Sequence, residues 1–321
     1  MPPCVFWTNT EVPEDGPDII ALTGATGFVG KVVLQDLLAR GYLVKALIRP
    51  GSAHKGFAHK NINWIEGELG NPHSEAALCA GAKAVIHMAG LITARTKADY
   101  MRINAAHTGT LAAAAGRAGV GRFIYLSSLT ARAPGLSDYA ASKRAGEGAF
   151  ARSLAAAKHG MKGVVVRAPA VFGAGDKATA PFYTLIRKGI LPAPGGRNWR
   201  ARKLSLVHVD DLAAFLSGPC LEGGCDGRTV SVATKACLSW PEFAEECQQA
   251  LGWHVRAVPL PLSVLYPIAA VNTLSKRLLG VGHLTLGKLR EFLHPDWCVK
   301  AEYEVKTPLQ SALKKTIVKA I

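Results

Sequence analysis

This 321-residue sequence predicts a doubly wound α/β fold: a parallel sheet with helices on both faces and a smaller C-terminal lobe. Three observations carry the expectation. Short apolar runs alternate with helix-period segments from residue 18 to about 170, the pattern of successive βαβ units. The runs are apolar almost without interruption, as strands covered on both faces must be. The first of them also leads directly into a glycine-spaced turn that opens a helix, TGATGFVG at 23–30.

Taken in order, DIIAL is the first strand, and KVVLQDLLARG is a helix closed by Gly41. YLVKALI, INWIE and AVIHMA read as strands two, three and four, and a helical pattern fills about 98–118. RFIYLSS is the fifth strand, the segment from Ser137 to about His159 a helix, and GVVVRA the sixth strand. Parallel strands joined by such crossovers take the right-handed connection. Past residue 170 the rhythm loosens into Gly/Pro-rich loops at 173–176 and 192–196 between isolated helices and short strands.

Hydrophobic residues make up 49% and charged residues 19%, enough for a core and too little charge for disorder. The formal charge of +15 raises the question of nucleic acid. No basic run with interleaved aromatics, zinc signature or helix-turn-helix pattern supports that partner, so the charge is read as attracting anionic cofactors or substrates. Seven cysteines without CxxC spacing read as free thiols in a reducing, cytoplasmic setting. The first residues lack the pattern of a signal peptide. The apolar stretch VPLPLSVLYPIAAV at 258–271 is too short and proline-rich to span a bilayer. It is read as a core helix pair broken by prolines, with a lid or a peripheral membrane contact as the lesser readings.

In TGATGFVG, Gly24, Gly27 and Gly30 are spaced GxxGxxG, with Thr26, Phe28 and Val29 in the same turn. Glycines there permit a tight turn and let backbone N–H groups approach a pyrophosphate at the helix N-terminus. The second strand then ends in ALIRPGS, placing Arg49 where a ribose-binding carboxylate would stand. An arginine suits a 2′-phosphate, with Lys31 or Lys55 assisting, so NADP is expected in preference to NAD. No metal site is indicated.

These motifs resemble the extended short-chain dehydrogenase/reductase family, whose members include epimerases and dehydratases. The resemblance covers about 18–300 and implies a Rossmann-type fold. IEGELGNP is similar to the family's adenine-contacting segment, implying roles for Glu68 and Leu69. VIHMAG resembles the strand beside the nicotinamide, placing Met88, Ala89 and Gly90 near the cofactor. RINAAHTGT resembles the helix whose Asn, here Asn104, supports the active site. FIYLSSL resembles the strand ending in the catalytic hydroxyl, Ser128, with Ser127 lining the cofactor. YAASK is the YxxxK motif, Tyr139 and Lys143. VRAPAVFGAGD resembles a segment bordering nicotinamide and substrate, implying cofactor contact at Pro169, although Ala168 and Phe172 depart from the family pattern. The resemblance also implies a homodimer. With it, the expected division is an N-terminal extension at 1–17, a dinucleotide-binding domain at 18–170, and a mainly substrate-binding lobe at 171–321, from which 203–220 returns to the first domain.

Tyr139 and Lys143 lie four residues apart and so share a helical face. A free phenol, with pKa about 10, is a poor base at neutral pH. An ammonium on the same face is expected to lower that value. His87 is read as a packed strand-end residue, and Asp210 and Asp211 as helix caps. Tyr183, Trp199 and Arg202 are candidate lining of the substrate lobe. The expected activity is hydride transfer between a nicotinamide cofactor and a small-molecule hydroxyl or ketone by a Ser-Tyr-Lys mechanism. The alternatives are a nucleotide-sugar epimerase or dehydratase holding NAD tightly, and a non-catalytic nucleotide-binding scaffold or redox sensor.

Overall fold

The computed structural model describes residues 17–52, 57–176, 179–280, 282, 284–303, 305 and 307–319. Lys55 and nearly all of the expected N-terminal extension lie outside them. The first half alternates as expected: β1 (Ile19–Thr23), α1 (Phe28–Ala39), β2 (Leu43–Ile48), β3 (Ile62–Glu66), α2 (Pro72–Cys79) and β4 (Ala84–His87). Next come α3 (Lys97–Met101), a π-helical turn (Arg102–Ala106) and α4 (His107–Arg117), then β5 (Arg122–Ser128), α5 (Asp138–Ala155) and β6 (Lys162–Ala168). The periodicity of 98–118 gave no sign of the π turn. Nor was α2 expected; its cue is Asn71 before Pro72, with the Asn71 side chain accepting from the N–H groups of His73 and Ser74.

The second half holds β7 (Ala170–Phe172), α6 (Ala180–Arg187), β8 (Ile190–Pro194), β9 (Lys203–His208), α7 (Val209–Ser217) and α8 (Pro219–Glu222). It continues with β10 (Thr229–Val230), β11 (Lys235–Ser239), α9 (Trp240–Leu251), β12 (Arg256–Leu260), α10 (Leu262–Leu279), α11 (Leu286–Phe292), β13 (Asp296–Trp297) and α12 (Leu309–Lys319). The segment read as a proline-broken helix pair is therefore a short strand followed by one helix, with Pro267 inside α10.

Seven strands form the main sheet in the order β10-β6-β5-β4-β1-β2-β3, all parallel. Strand residues alternate between two cores, as the period of two requires. Ile20 and Leu22 join Val33, Leu37, Leu212 and Phe215 on one face. Ala21 joins Leu78, Leu111, Ala115 and Phe150 on the other. A separate core gathers Phe172, Ile186, Leu191, Leu206, Leu251 and Leu313 from the second half. There β9 pairs with β7, β11 and β13.

Two expectations are corrected in this half. Cys237 and Cys298 form a disulfide, with Cα atoms 4.7 Å apart, where free thiols were expected. Both lie beside Ser205, whose hydroxyl accepts the N–H groups of Cys237 and Val299. The cap of α7 is His208, whose ring accepts from the Asp210 N–H, and not an aspartate. Asp211 instead accepts from the hydroxyls of Thr234 and Thr307, and Asp210 pairs with Lys315 at 3.1 Å.

The strand order sets the location of the site. The chain runs outward through β1, β2 and β3, then returns across β1 to add β4 on its other side. The connections leaving β1 and β4 thus diverge and open a crevice at their C-terminal ends, the binding position of open α/β sheets.

Candidate active site

The crevice is floored by backbone. Gly24, at φ +79°, turns the chain out of β1, and a Cβ there would lie 2.8 Å from the Ala89 nitrogen. A Cβ on Gly30 would lie 1.9 Å from the Gly24 carbonyl oxygen, so only glycine lets α1 begin this close to the turn. The N-cap of α1, Gly27, supplies no side-chain hydrogen bond, which leaves the first-turn N–H groups available to an anion. The cradle is open enough for a dinucleotide, whose pyrophosphate Gly24–Gly30 would hold beside Thr26, Phe28 and Val29. Arg49 is exposed just past the end of β2. Glu68 is exposed and Leu69 half-buried beyond β3. Pro169 is buried between β6 and β7.

A buried polar chain holds the far wall. Thr23 Oγ1 lies 2.7 Å from His87 Nδ1, and it accepts the N–H groups of Met88 and Ala89 at 3.2 Å each. His87 Nε2 meets Thr108 Oγ1 at 3.0 Å, and Thr108 in turn donates to the Asn104 carbonyl oxygen. Because Thr108 spends its proton on that carbonyl, His87 donates from Nε2 and accepts at Nδ1. Burial, with the charges of Lys143 and His107 adding, holds its pKa down at about 3, so the ring stays neutral.

Asn104 sits in the π turn and is fully buried. Its Oδ1 accepts from the Leu91 N–H at 2.7 Å, and its Nδ2 donates to the Leu91 carbonyl and to Ser142 Oγ at 2.9 Å each. Asn104 therefore ties the loop after β4, which carries Met88, Ala89 and Gly90, to α5. π turns recur at functional positions because the extra residue re-aims side chains.

At the end of β5, Ser127 and Ser128 have different partners. Ser127 is buried and donates to Glu147 Oε1 at 2.7 Å. Glu147 also receives Arg167 through two bonds, of 2.8 and 2.6 Å, and Arg144 at 3.2 Å. Burial opposes its charge, but the bonds from Arg167 and Ser127 outweigh it and leave the carboxyl below the usual range. Ser128 accepts Thr130 Oγ1 at 2.9 Å, and its hydroxyl acts on the Tyr139 phenol, favouring the ionised form.

Helix α5 starts cleanly because Ser137 caps it, accepting the Ala140 N–H at 2.9 Å. Its side chain also donates to Glu291 of α11. Tyr139 and Lys143 lie on one face of α5, but the expected lowering of the Tyr139 pKa by Lys143 is absent. Lys143 Nζ donates to the Leu126 carbonyl at 2.8 Å and lies 4.5 Å from the Tyr125 ring centroid. Burial pushes the Tyr139 phenol up to about 12, against the smaller opposing effect of the Ser128 hydroxyl. Burial also brings Lys143 down to about 7, with Glu147 pulling the other way.

Tyr139 opens onto a cleft that sequence reading did not assemble. Lys276 and Arg277 of α10 and Lys288 and Glu291 of α11 line it together with Tyr100 and Arg95. Lys288 Nζ lies 4.3 Å from the Tyr139 ring centroid and pairs with Glu291 at 2.8 Å. Lys276 donates to the Tyr100 hydroxyl at 3.2 Å. The residues of α10 and α11 lie more than a hundred positions from Tyr139, and no spacing announces them. Tyr183, a candidate lining residue, is buried in the second core with Trp199 packed against it, and neither these two nor Arg202 lines the cleft.

A glycine cradle at a topological switch point, backed by a hydroxyl–phenol pair and a neighbouring lysine, defines the class: a nicotinamide-dinucleotide-binding α/β enzyme. Residues 20–217 match the model of the NAD dependent epimerase/dehydratase family. The chain belongs to that family, the extended short-chain dehydrogenases/reductases, and is an oxidoreductase or epimerase in the broad sense. It is 35% identical over 286 residues to a ceramide reductase of Caulobacter vibrioides, covering 88% of this chain and 86% of that one. It is 31% identical to a UDP-glucose 4-epimerase of Vibrio cholerae, covering 77% and 80%. The fold also superposes on the solved structure of MoeE5 in complex with UDP-glucose and NAD, at TM-score 0.68 and 18% identity over 94% of this chain and 98% of that one.

Proposed function

We propose that this chain is an NADP-dependent reductase that converts a ketone on a lipid-like molecule to an alcohol. The observation that carries the reading is the Tyr139 phenol at the cleft wall, with the Ser128 hydroxyl near enough to favour its ionised form and Lys143 on the same helical face. When bound, the cofactor supplies hydride to the carbonyl carbon. Ser128 donates a hydrogen bond to the carbonyl oxygen and steadies the negative charge that develops there. Tyr139 then gives its proton to that oxygen and completes the alcohol. A phenol held protonated by burial is the right acid for this direction. Lys143 holds the nicotinamide ribose, and the Tyr139 phenol regains its proton from water. Asn104 keeps the Met88–Gly90 loop in register with α5. Arg49 takes the 2′-phosphate.

The similarity to a ceramide reductase favours a long-chain amide bearing a ketone. A second reading has one observation behind it. Four cationic side chains (Arg95, Lys276, Arg277 and Lys288) against two carboxylates in the cleft also suit the pyrophosphate of a nucleotide sugar. The test is NADPH oxidation by the purified chain with a short-chain keto form of ceramide, beside UDP-hexose epimerisation. Ketone-dependent oxidation of NADPH in preference to NADH is the expected result. Retained NAD with UDP-hexose turnover and no ketone reduction would replace this reading with the epimerase one.

A further inference from the structure

Helix α10 buries one side and leaves an apolar stripe bare on another. Leu265, Ala269 and Lys276 turn inward. Val264, Ile268, Val271 and Leu274 point outward, with Val271 64% and Leu274 59% exposed. At 100° per residue these four and the exposed Pro267 fall within an arc of about 120°, the width of a helix face made to be covered. Eighteen residues of helix give a strip on the order of 300 Å². That is well short of the roughly 800 Å² each partner contributes to a stable protein interface.

The charge around the stripe indicates what covers it. Helix α10 holds no aspartate or glutamate; of its last-turn cations, Lys276 turns inward to Tyr100 and Arg277 is exposed. The Arg95 stem lies beside Gly280, immediately past its C-terminus. The whole chain carries +15. An apolar helix face with cations at its end complements an anionic lipid headgroup layer over an acyl interior. The same helix lines the Tyr139 cleft through Thr273, Lys276 and Arg277.

We propose that α10 seats this protein on the surface of an anionic lipid bilayer, with Val264, Ile268, Val271 and Leu274 entering the acyl boundary and the Tyr139 cleft opening beside it. A long-chain ketone then passes from the bilayer into the cleft without crossing water. That delivery step rests on the reductase reading; the docking does not.

The test is co-sedimentation of the full chain with vesicles of phosphatidylcholine alone or equimolar phosphatidylcholine and phosphatidylglycerol. The chain is expected to pellet with the anionic vesicles and be partly released by added salt. The Val271→Asp/Leu274→Asp pair should lower that binding roughly tenfold or more, from loss of two buried apolar side chains. The milder Val271→Ser/Leu274→Ser pair should weaken it in the same direction, and both should reduce a short-chain ketone at the unaltered rate. A wild type left in the supernatant with both vesicles, or variants that pellet as well as it does, would overturn the proposal. So would a dimer seen by light scattering that the substitutions split while no vesicle binding occurs, since the stripe would then face a second copy. Vesicle binding without turnover of any ketone would uphold the docking and remove the reductase reading alone.

Discussion

Lys143 Nζ donates to the carbonyl oxygen of Leu126 at 2.8 Å, reaching from α5 to the C-terminal end of β5. The bond fixes α5 against β5 and draws the ammonium away from the phenol of Tyr139. It also keeps a cation inside the wall of the crevice, where burial makes the charge expensive. An anionic or polyhydroxylated ligand in the crevice would give that charge a better partner.

Tyr139→Phe removes the proton donor and keeps the ring packing. Steady-state NADPH consumption should fall by about 10²–10⁴-fold, the usual worth of a positioned acid. Fluorescence titration should show nearly unchanged cofactor affinity. A variant with wild-type turnover would take Tyr139 out of the chemistry.

Arg49→Ala tests cofactor choice. A charge-assisted bond to the 2′-phosphate is worth about 1.5–3 kcal/mol, so NADP affinity should drop roughly tenfold or more while NAD affinity stays level. Equal losses for both cofactors would place Arg49 elsewhere than at the phosphate.

Lys143 gives a pH signature with a defined sign. Its pKa is about 7 in the folded protein, below the ordinary lysine value of 10.5. Between those two values the unfolded chain holds a proton that the folded chain has lost, so stability from this group rises with pH. Below pH 7 both states are charged and the burial cost is fully present. The melting temperature of wild type minus that of Lys143→Met should therefore increase from pH 7 toward 10. A difference that stays flat would mean the buried ammonium keeps its proton throughout.

Glu147→Gln leaves the half-buried Arg167 guanidinium without its carboxylate. Breaking a buried pair from one side costs about 3 kcal/mol, which a urea titration would record as a lowered midpoint. An unchanged midpoint would show that solvent already compensates Arg167.

β1 to β6 of the main sheet were legible because their runs are largely apolar and because Gly24, Gly27 and Gly30 stand between strand and helix, whereas the two-residue β10 carried no period to read. Helix α2 was not, since its eight residues carry little periodicity and its signal lies in the cap, Asn71 and Pro72. Ser128, Tyr139 and Lys143 could be placed in sequence order, but not the direction Lys143 takes, which depends on a carbonyl seventeen residues back. Lys276, Lys288 and Glu291 reach the cleft through contacts between distant segments, which local pattern does not encode. The aspartates at 210–211 read as caps from composition alone, yet the preceding His208 occupies the cap position.

The π turn at Arg102–Ala106 places one surplus residue between two stretches of ordinary helix. Each helical residue advances the side chain by about 100°, so the surplus sets α3 and α4 out of phase by about that angle. Leu111 and Ala115 can then face the sheet while Asn104 faces the loop after β4. Deleting one residue here would mend the helix and turn either the core stripe or the amide away from its partner. A gap in this helix among related chains would therefore mark a changed active site rather than a harmless trim.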